Sequence, residues 1–310
     1  MKRVLITGAA GFIGSALVPE LEKNGYVTYV LDNLSFGKRD LLDIPDDRFV
    51  LGDITDRTLV QKEIARISPH WIIHLAAIHF IPYCNQNPYE SANINIQGTI
   101  NVLDAAKKLD CLERVLFAST AAVYPIVDTP IPETFVTNPL DIYGLSKLAG
   151  ERLMNEFYLE TQIPSIICRF FNAFGPRETN AHLIPEIHRQ IVEGKRKIQL
   201  GNLDPQRDFI HTSDMSLALR LLLEKFETGI DTFNIGSGKE YSVRAVVQAF
   251  ERAIGESIEI QVDPARVRKV ERHHLCADIQ KLTEFLDWEP AVSLDRGIQK
   301  LIDDPHTAFA

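Results

Sequence analysis

The chain is predicted to be an α/β protein, a doubly wound parallel sheet carrying a smaller α/β domain. Short β-rich runs alternate with helix-period patterns through the first half of the 310 residues, the signature of helices packed on a parallel sheet. Those runs are apolar on both faces, as strands covered from two sides must be. Glycines at 8, 11 and 14 stand between the first run and the first helical pattern, where such sheets make a tight strand-to-helix turn.

The elements follow in order. "VLITG" reads as the first strand, then a helix from about Gly11 to Asn24, then strands "VTYVLD" and "RFVLGD". A helix over 57–67, the strand "WIIHLAA", a helix over 88–109 and the strand "RVLFAST" complete the first half. A long helix is expected over 144–161, followed by "SIICRFFNAFG", a strand running into a loop. From 172 to 210 Pro, Asn, Gly and charge are frequent, so irregular structure is expected. "HTSDMSLALRLLLEKF" is helical, "TFNIGS" a strand and "SVRAVVQAFERAI" helical. The first domain is expected to span 1–172 with a return segment at about 208–237, and residues 173–310 to form mainly the second.

Composition narrows the function classes. With 45% hydrophobic and 24% charged residues the chain matches a globular enzyme, and a net charge of −9 argues against a nucleic-acid surface. The start "MKRVLITGAA" enters an apolar strand at once, leaving no room for a signal peptide, and no run is long enough to span a membrane. A cytoplasmic protein is expected. Cys84, Cys111, Cys168 and Cys276 are widely spaced, suggesting neither a disulfide framework nor a zinc site.

"TGAAGFIG" places Gly8, Gly11 and Gly14 where backbone N–H groups and a helix N-terminus can approach a pyrophosphate. Asp32 ends the second strand, where a carboxylate accepts both hydroxyls of an adenosine ribose and repels a 2′-phosphate, so NAD is favoured over NADP. Asp53 follows the third strand and could meet the adenine amino group beside Ile54, with a helix N-cap as the alternative. Tyr143 and Lys147 stand four apart on one helical face. A phenol must gain about 4 kcal/mol of acidity to act as a base near neutrality. One ammonium at about 6 Å supplies about 3 kcal/mol, so a second cation, the oxidised nicotinamide ring, is needed.

The segments "TGAAGFIG", "LDNLSFGKRD", "HLAA", "NINIQGT", "ASTAAVY", "YGLSK", "RFFNAFGP", "LIPEI", "QRDFIHTSD" and "NIGSG", in this order, resemble the extended short-chain dehydrogenase/reductases. Within them the chain is similar to NAD-dependent nucleotide-sugar epimerases and dehydratases such as the UDP-galactose and UDP-glucuronate 4-epimerases. The resemblance covers nearly the whole chain. It implies a Rossmann-type domain, a nucleotide-diphosphate-sugar substrate and a homodimer formed by helices near 93–109 and 144–161. It also implies a catalytic triad of Thr120, Tyr143 and Lys147, and cofactor contacts from Phe12, Ile13, Asn33, Leu75, Ala76, Ala77 and Asn95, the last propping the active-site strands.

In this family the dehydratases resemble "S-T-D-E-V-Y-G", whose Asp and Glu serve as acid and base in removing water. Here Ala121 and Ala122 stand in their place. Elimination therefore lacks its machinery, whereas removal and return of a hydride needs only the triad and NAD, and 4-epimerisation is the expected reaction. Pro125 replaces the usual glycine, which affects loop shape more than chemistry.

For the substrate, the resemblance implies diphosphate contacts from Arg207 and Arg268, with Arg266 as the alternative to the second, Asn172 near the phosphates, and Leu183 and Pro185 along the base. Leu275 falls where side-chain size limits the C2 substituent, and His273 and His274 either reach the phosphates or lie on an exposed strand. "IHFIPYC" is unusual: His79 either touches the sugar or shapes the pocket, and Cys84 is expected to be a buried thiol.

Overall fold

The computed structural model describes residues 1–178, 180, 182–266 and 272–304. Along the chain the first elements are β1 (Arg3–Thr7), α1 (Phe12–Lys23), β2 (Val27–Asp32), β3 (Phe49–Leu51), α2 (Arg57–Ile67), β4 (Trp71–His74), α3 (Ile81–Gln86) and α4 (Pro88–Ala92). A π-helical turn over Asn93–Gln97 leads into α5 (Gly98–Ala106), β5 (Arg114–Thr120), α6 (Ile142–Thr161), β6 (Ser165–Phe170), β7 (Asn172–Phe174), α7 (Leu183–Val192) and β8 (Lys197–Leu200). The chain continues through β9 (Gln206–His211), α8 (Thr212–Lys225), β10 (Ile230–Ile235), β11 (Glu240–Ser242), α9 (Val243–Ile254), β12 (Glu259–Val262), α10 (Gln280–Leu286) and α11 (Leu294–Asp303).

Two compact units result: Met1–Pro125 with Glu133–Phe170 and Ser216–Asn234, and Ile126–Pro132 with Phe171–Met215 and the chain from Ile235 on. In the first, seven strands form one sheet in the order β10-β6-β5-β4-β1-β2-β3, with parallel registers from β6 to β3. Strand order reverses between β1 and β4, which opens a crevice at their carboxyl ends, the ligand position of open α/β sheets. The core on one face joins Leu5, Ile72 and Phe117 of the sheet to Val60 and Ile64 of α2, Val102 of α5, and Met154 and Phe157 of α6. Helix α6 comes close because Gly150 has no side chain: a Cβ there would stand 2.3 Å from the Phe117 ring.

The α/β class and the parallel sheet agree with the sequence pattern. One element differs. The helix expected over 88–109 is broken into α4, the π turn and α5, because Asn95 turns inward to satisfy buried backbone groups, and a local bulge accommodates it.

The second unit holds a mixed sheet, β11-β9-β7, and a parallel pair, β12-β8. Ile184, Ile187 and Ile191 of α7 pack with Val246 and Phe250 of α9 and Ile298 of α11. Ser242 caps α9 by accepting from Ala245 N. The stretch 172–210 is thus more regular than its composition suggests: the apolar spacing of "LIPEIHRQIV" makes a helix despite the surrounding Pro and Asn.

Candidate active site

The glycine turn is built for close approach. Gly8 has φ +74°, and a Cβ on it would lie 2.6 Å from Ala76 N and Cα; one on Gly14 would lie 2.3 Å from Ala9 Cα. No side chain caps the amino end of α1, whose first turn, including Phe12 and Ile13, carries no carboxylate. The helix end therefore keeps its positive partial charge free for an anion. Asp32 accepts Ala10 N (2.9 Å) and Leu34 N (2.8 Å), one on each oxygen, leaving acceptor capacity on both. Burial raises its pKa, opposed by those two N–H groups. Asp53 is not the α2 cap. Asp56 fills that place, while Asp53 turns onto Thr55 and accepts from Asn33 Nδ2 at 2.7 Å. Ile54 is buried, its side chain against Gly98 and its carbonyl accepting from Asn101.

A buried chain of hydrogen bonds links this turn to the helix carrying Tyr143. Thr7 Oγ1 meets His74 Nδ1 at 2.6 Å and His74 Nε2 meets Thr99 Oγ1 at 2.9 Å, while Thr99 donates to Asn95 O at 2.7 Å. Since the Thr99 hydrogen is committed to Asn95, His74 carries its proton on Nε2 and accepts from Thr7 on Nδ1. Burial, helped by the Lys147 charge, pushes the His74 pKa down to about 3, so the ring stays neutral. Asn95 accepts Ile78 N and donates to Ile78 O and to Ser146 Oγ, which itself donates to Tyr143 O. The Asn95 amide is thus engaged with the loop after β4 and with α6. Leu75, Ala76 and Ala77 are half-buried in that loop, followed by buried Ile78 and half-buried His79.

Thr120, Tyr143 and Lys147 come together. Asp141 caps α6 through Gly144 N at 2.8 Å, and a Cβ on Gly144 would lie 2.5 Å from Ala122 O. This close seat brings the end of β5 against the first turn of α6, where the Thr120 hydroxyl, which accepts from Ala122 N at 3.1 Å, favours ionisation of the nearby Tyr143 phenol. Burial nevertheless raises the Tyr143 pKa above its ordinary value, opposed by the Thr120 hydroxyl and reinforced by the charge of Asp141. Lys147 is not among the causes acting on the phenol; desolvation of the phenolate is the largest of them. Lys147 itself is only 2% exposed, and among the described residues its ammonium meets the Phe117 ring at 4.1 Å but no hydrogen-bond acceptor. Burial pushes its pKa down to about 7, opposed by Glu151. A buried cation with free N–H groups beside a phenol is a site awaiting oxygen acceptors. Cys84 is fully buried and donates to Ile78 O at 3.5 Å, and burial raises its pKa, so it is a protonated thiol.

This lysine gives a pH prediction. An unfolded lysine holds its proton up to about pH 10.4, whereas Lys147 releases it near pH 7 in the fold. The unfolded chain then binds more protons between those values, so this group's contribution to stability grows as pH rises through that window. The parent minus Lys147→Met difference in urea-unfolding free energy is expected to climb from pH 7 to 10 with a slope approaching about 1.4 kcal/mol per pH unit. A flat difference would show that Lys147 is charged throughout.

In the second unit Asn172 donates to Asp208 O at 3.1 Å, and Arg207 Nη1 donates to the Gln206 and Arg272 carbonyls at 2.8 Å each. The backbone of His273 and Leu275 pairs with Gln206 and Asp208. His274 Nδ1 meets Glu240 at 2.7 Å. Leu183 is half-buried and Pro185 buried at the start of α7. Arg266 is engaged by Glu186 at 2.8 Å and Asp263 at 3.4 Å, which counts against it as a diphosphate ligand; Arg268 lies outside the described residues.

Sequence reasoning missed His74, Thr7, Thr99 and Ser146, each of which has a polar partner on another strand or helix. It also missed Glu151, Arg169 and Ser119. A carboxylate four residues after Lys147 was a visible signal, but its burial was not.

The family model described as GDP-mannose 4,6 dehydratase matches residues 5–301. The chain is 35% identical over 308 residues to the low-salt glycan biosynthesis protein Agl12 of Haloferax volcanii, covering 97% of each chain. It is 30% identical over 305 residues to a UDP-glucose 4-epimerase of Corynebacterium glutamicum, covering 93% of this chain and 91% of that one. The UDP-glucuronic acid 4-epimerase of Bacillus cereus, solved with UDP-glucuronic acid and NAD, superposes with a TM-score of 0.87 at 28% identity, over 97% of this chain and 98% of that one. With the glycine turn and the Tyr143/Lys147 helix both inside the matched span, the chain belongs to the GDP-mannose 4,6 dehydratase family.

Proposed function

We propose that this protein is an NAD-dependent epimerase of a nucleotide-activated sugar, acting at C4. The observation that carries the reading is the meeting of Thr120, Tyr143 and Lys147 beside two alanines, Ala121 and Ala122, in the positions of a dehydratase acid and base. The residues fit the dinucleotide: the Gly8–Gly14 turn and the uncapped end of α1 suit a pyrophosphate, the two Asp32 oxygens a ribose, and the Lys147 ammonium, which has no hydrogen-bond acceptor among the described residues, ribose hydroxyls. Asn33, Asp53, Ile54 and the 75–77 loop complete the cofactor contacts in this reading, with Asn95 acting through Ile78 and Ser146.

When bound, NAD supplies a hydride acceptor and donor and a positive ring. The chain's own residues manage the proton. Tyr143 Oη takes the proton of the sugar 4-hydroxyl, Thr120 hydrogen-bonds the same oxygen, and Lys147 favours the phenolate; the resulting 4-keto sugar turns over and is reduced on its other face. Ala121 is buried and Ala122 half-buried in the turn after β5. Asp141, whose charge bears on Tyr143, is committed to capping α6. Neither supplies an acid for expelling water. Arg207, Arg268, Asn172, Leu183 and Pro185 are assigned to the nucleotide diphosphate and His79 to the sugar pocket. The first unit would then carry the dinucleotide and the second the nucleotide sugar.

A homodimer through α5 and α6 is supported by the exposed Ile100, Leu145 and Leu159 on these helices, and a cytoplasmic setting by four free cysteines. Among the described residues no helix is long and apolar enough to cross a membrane. The test is incubation of purified protein with UDP-, GDP-, CDP- and dTDP-sugars, with and without added NAD, followed by NMR. A C4 isomer formed without net NADH is the expected result. Stoichiometric NADH would make it an oxidoreductase, and a 4-keto-6-deoxy product a dehydratase.

A further inference from the structure

We propose that Glu151, locked in place by Arg169 and Ser119, is the counter-charge that positions Lys147 and opposes the loss of its proton. The inference rests on the reading of Lys147 as part of the hydride-transfer site and adds a residue to it. Glu151 lies one turn beyond Lys147 on α6, which puts the two on one helix face, and both are nearly inaccessible, 4% and 2% exposed. Arg169 of β6 grips the carboxylate with both arms of its fork, Nη2 to Oε2 at 2.7 Å and Nε to Oε1 at 2.9 Å. Ser119, the residue before Thr120, donates to Oε1. Arg169 also donates to Tyr124 Oη at 2.8 Å and to Glu133 O at 3.1 Å, and Tyr124 donates to Asn234. Of the carboxylate's acceptor positions, one on Oε2 is left.

The arrangement does two things. A fork-to-fork pair with a third donor fixes the carboxylate and holds it ionised, so a buried negative charge stands beside a lysine that has no hydrogen-bonding partner among the described residues. It also ties α6 to β5 at Ser119 and to β6 at Arg169, setting the height of Lys147 and Tyr143 relative to Thr120. Among the described residues the charged or titratable groups that bear on Lys147 are Glu151 on its own helix, where Tyr143 stands one turn before it, and His74 on β4, which is neutral; Arg169 of β6 is taken up by Glu151, and Cys84 of α3 and Asp141 bear on Tyr143. Phe117 adds the face of its ring from β5. Among the described residues Glu151 is thus the negative charge that acts on the ammonium, against the larger effect of burial.

A single Glu151→Gln change strands a buried guanidinium and risks the fold. The informative variant is therefore Glu151→Leu with Arg169→Met, since apolar replacement of both members of a buried pair commonly preserves stability. With stability restored, kcat is expected to fall about five-fold at pH 7 and about ten-fold at pH 8, taking the lost attraction as about ten-fold in the Lys147 proton equilibrium. The pH at which stability starts to rise in urea unfolding is expected to move below its parental position near 7. That second readout needs no substrate, so a failure to find any sugar turned over would overturn the epimerase reading while leaving Glu151 tested. A folded double variant with the parental pH profile and the parental unfolding window would overturn the proposal and reduce the pair to packing.

Discussion

Replacing Tyr143 with phenylalanine is expected to lower turnover about 10²–10⁴-fold while leaving the fold and the retained dinucleotide intact. The fold survives because α6 is held by the Asp141 cap, by Ser146 bonded to the Tyr143 carbonyl rather than its phenol, and by the Glu151–Arg169 pair. The change removes the phenol oxygen, on which the Thr120 hydroxyl acts, and so one proton acceptor, and adds no volume. Burial raises the phenol's pKa in the chain alone, so the proton moves only when positive charge joins Lys147, which ties Tyr143 to cofactor-loaded chemistry. The checks are the initial rate of isomer formation by NMR and the absorbance of dinucleotide released on denaturation. A variant with more than about a tenth of parental activity would remove Tyr143 from the base role.

The second large effect is expected at Gly8. Alanine there places a Cβ 2.6 Å from the backbone of Ala76 at φ +74°, so both the local conformation and the contact are unfavourable. The left-handed conformation alone costs about 1–2 kcal/mol, and backbone on backbone has no flexible side chain to yield. The β1 turn and the loop after β4 must separate, which also disturbs the bond from Ala76 N to Thr7 and through it the His74 chain. A loss of about 3–5 kcal/mol and of dinucleotide retention is expected. Gly25→Ala is the control: φ is +83° but nothing lies within 4 Å of its Cβ, so only the conformational cost should register in urea unfolding, with retention unchanged. Equal destabilisation at the two positions would mean that the contact with Ala76 is readily relieved.

These two positions differ in how they were legible. Gly8 stood out in the sequence because a glycine-spaced turn between an apolar strand and a helix is the backbone shape that lets N–H groups close on a pyrophosphate. Tyr143 and Lys147 gave only a spacing, and it was the neighbouring motifs that gave the pair meaning. The expectation that Lys147 would acidify the phenol rested on a distance and a dielectric. Burial, which a sequence does not display, is the largest influence on both groups in the chain alone, raising the pKa of the phenol and lowering that of the lysine. Asp53 illustrates the same limit, since two aspartates three residues apart compete for one helix end and the backbone assigned it to Asp56.

What the sequence determined by itself is the order of strands and helices and the chemistry offered at their ends, because hydrophobic period, glycine spacing and the absence of carboxylates at 121 and 122 are local properties written along the chain. What only the tertiary structure decided is which polar groups are desolvated together. His74 between Thr7 and Thr99, Asn95 between Ile78 and Ser146, and Glu151 between Arg169 and Ser119 are pairings across elements up to 67 residues apart, at Thr7 and His74. Their energies depend on burial and on exact neighbours, quantities that exist only once the sheet has closed.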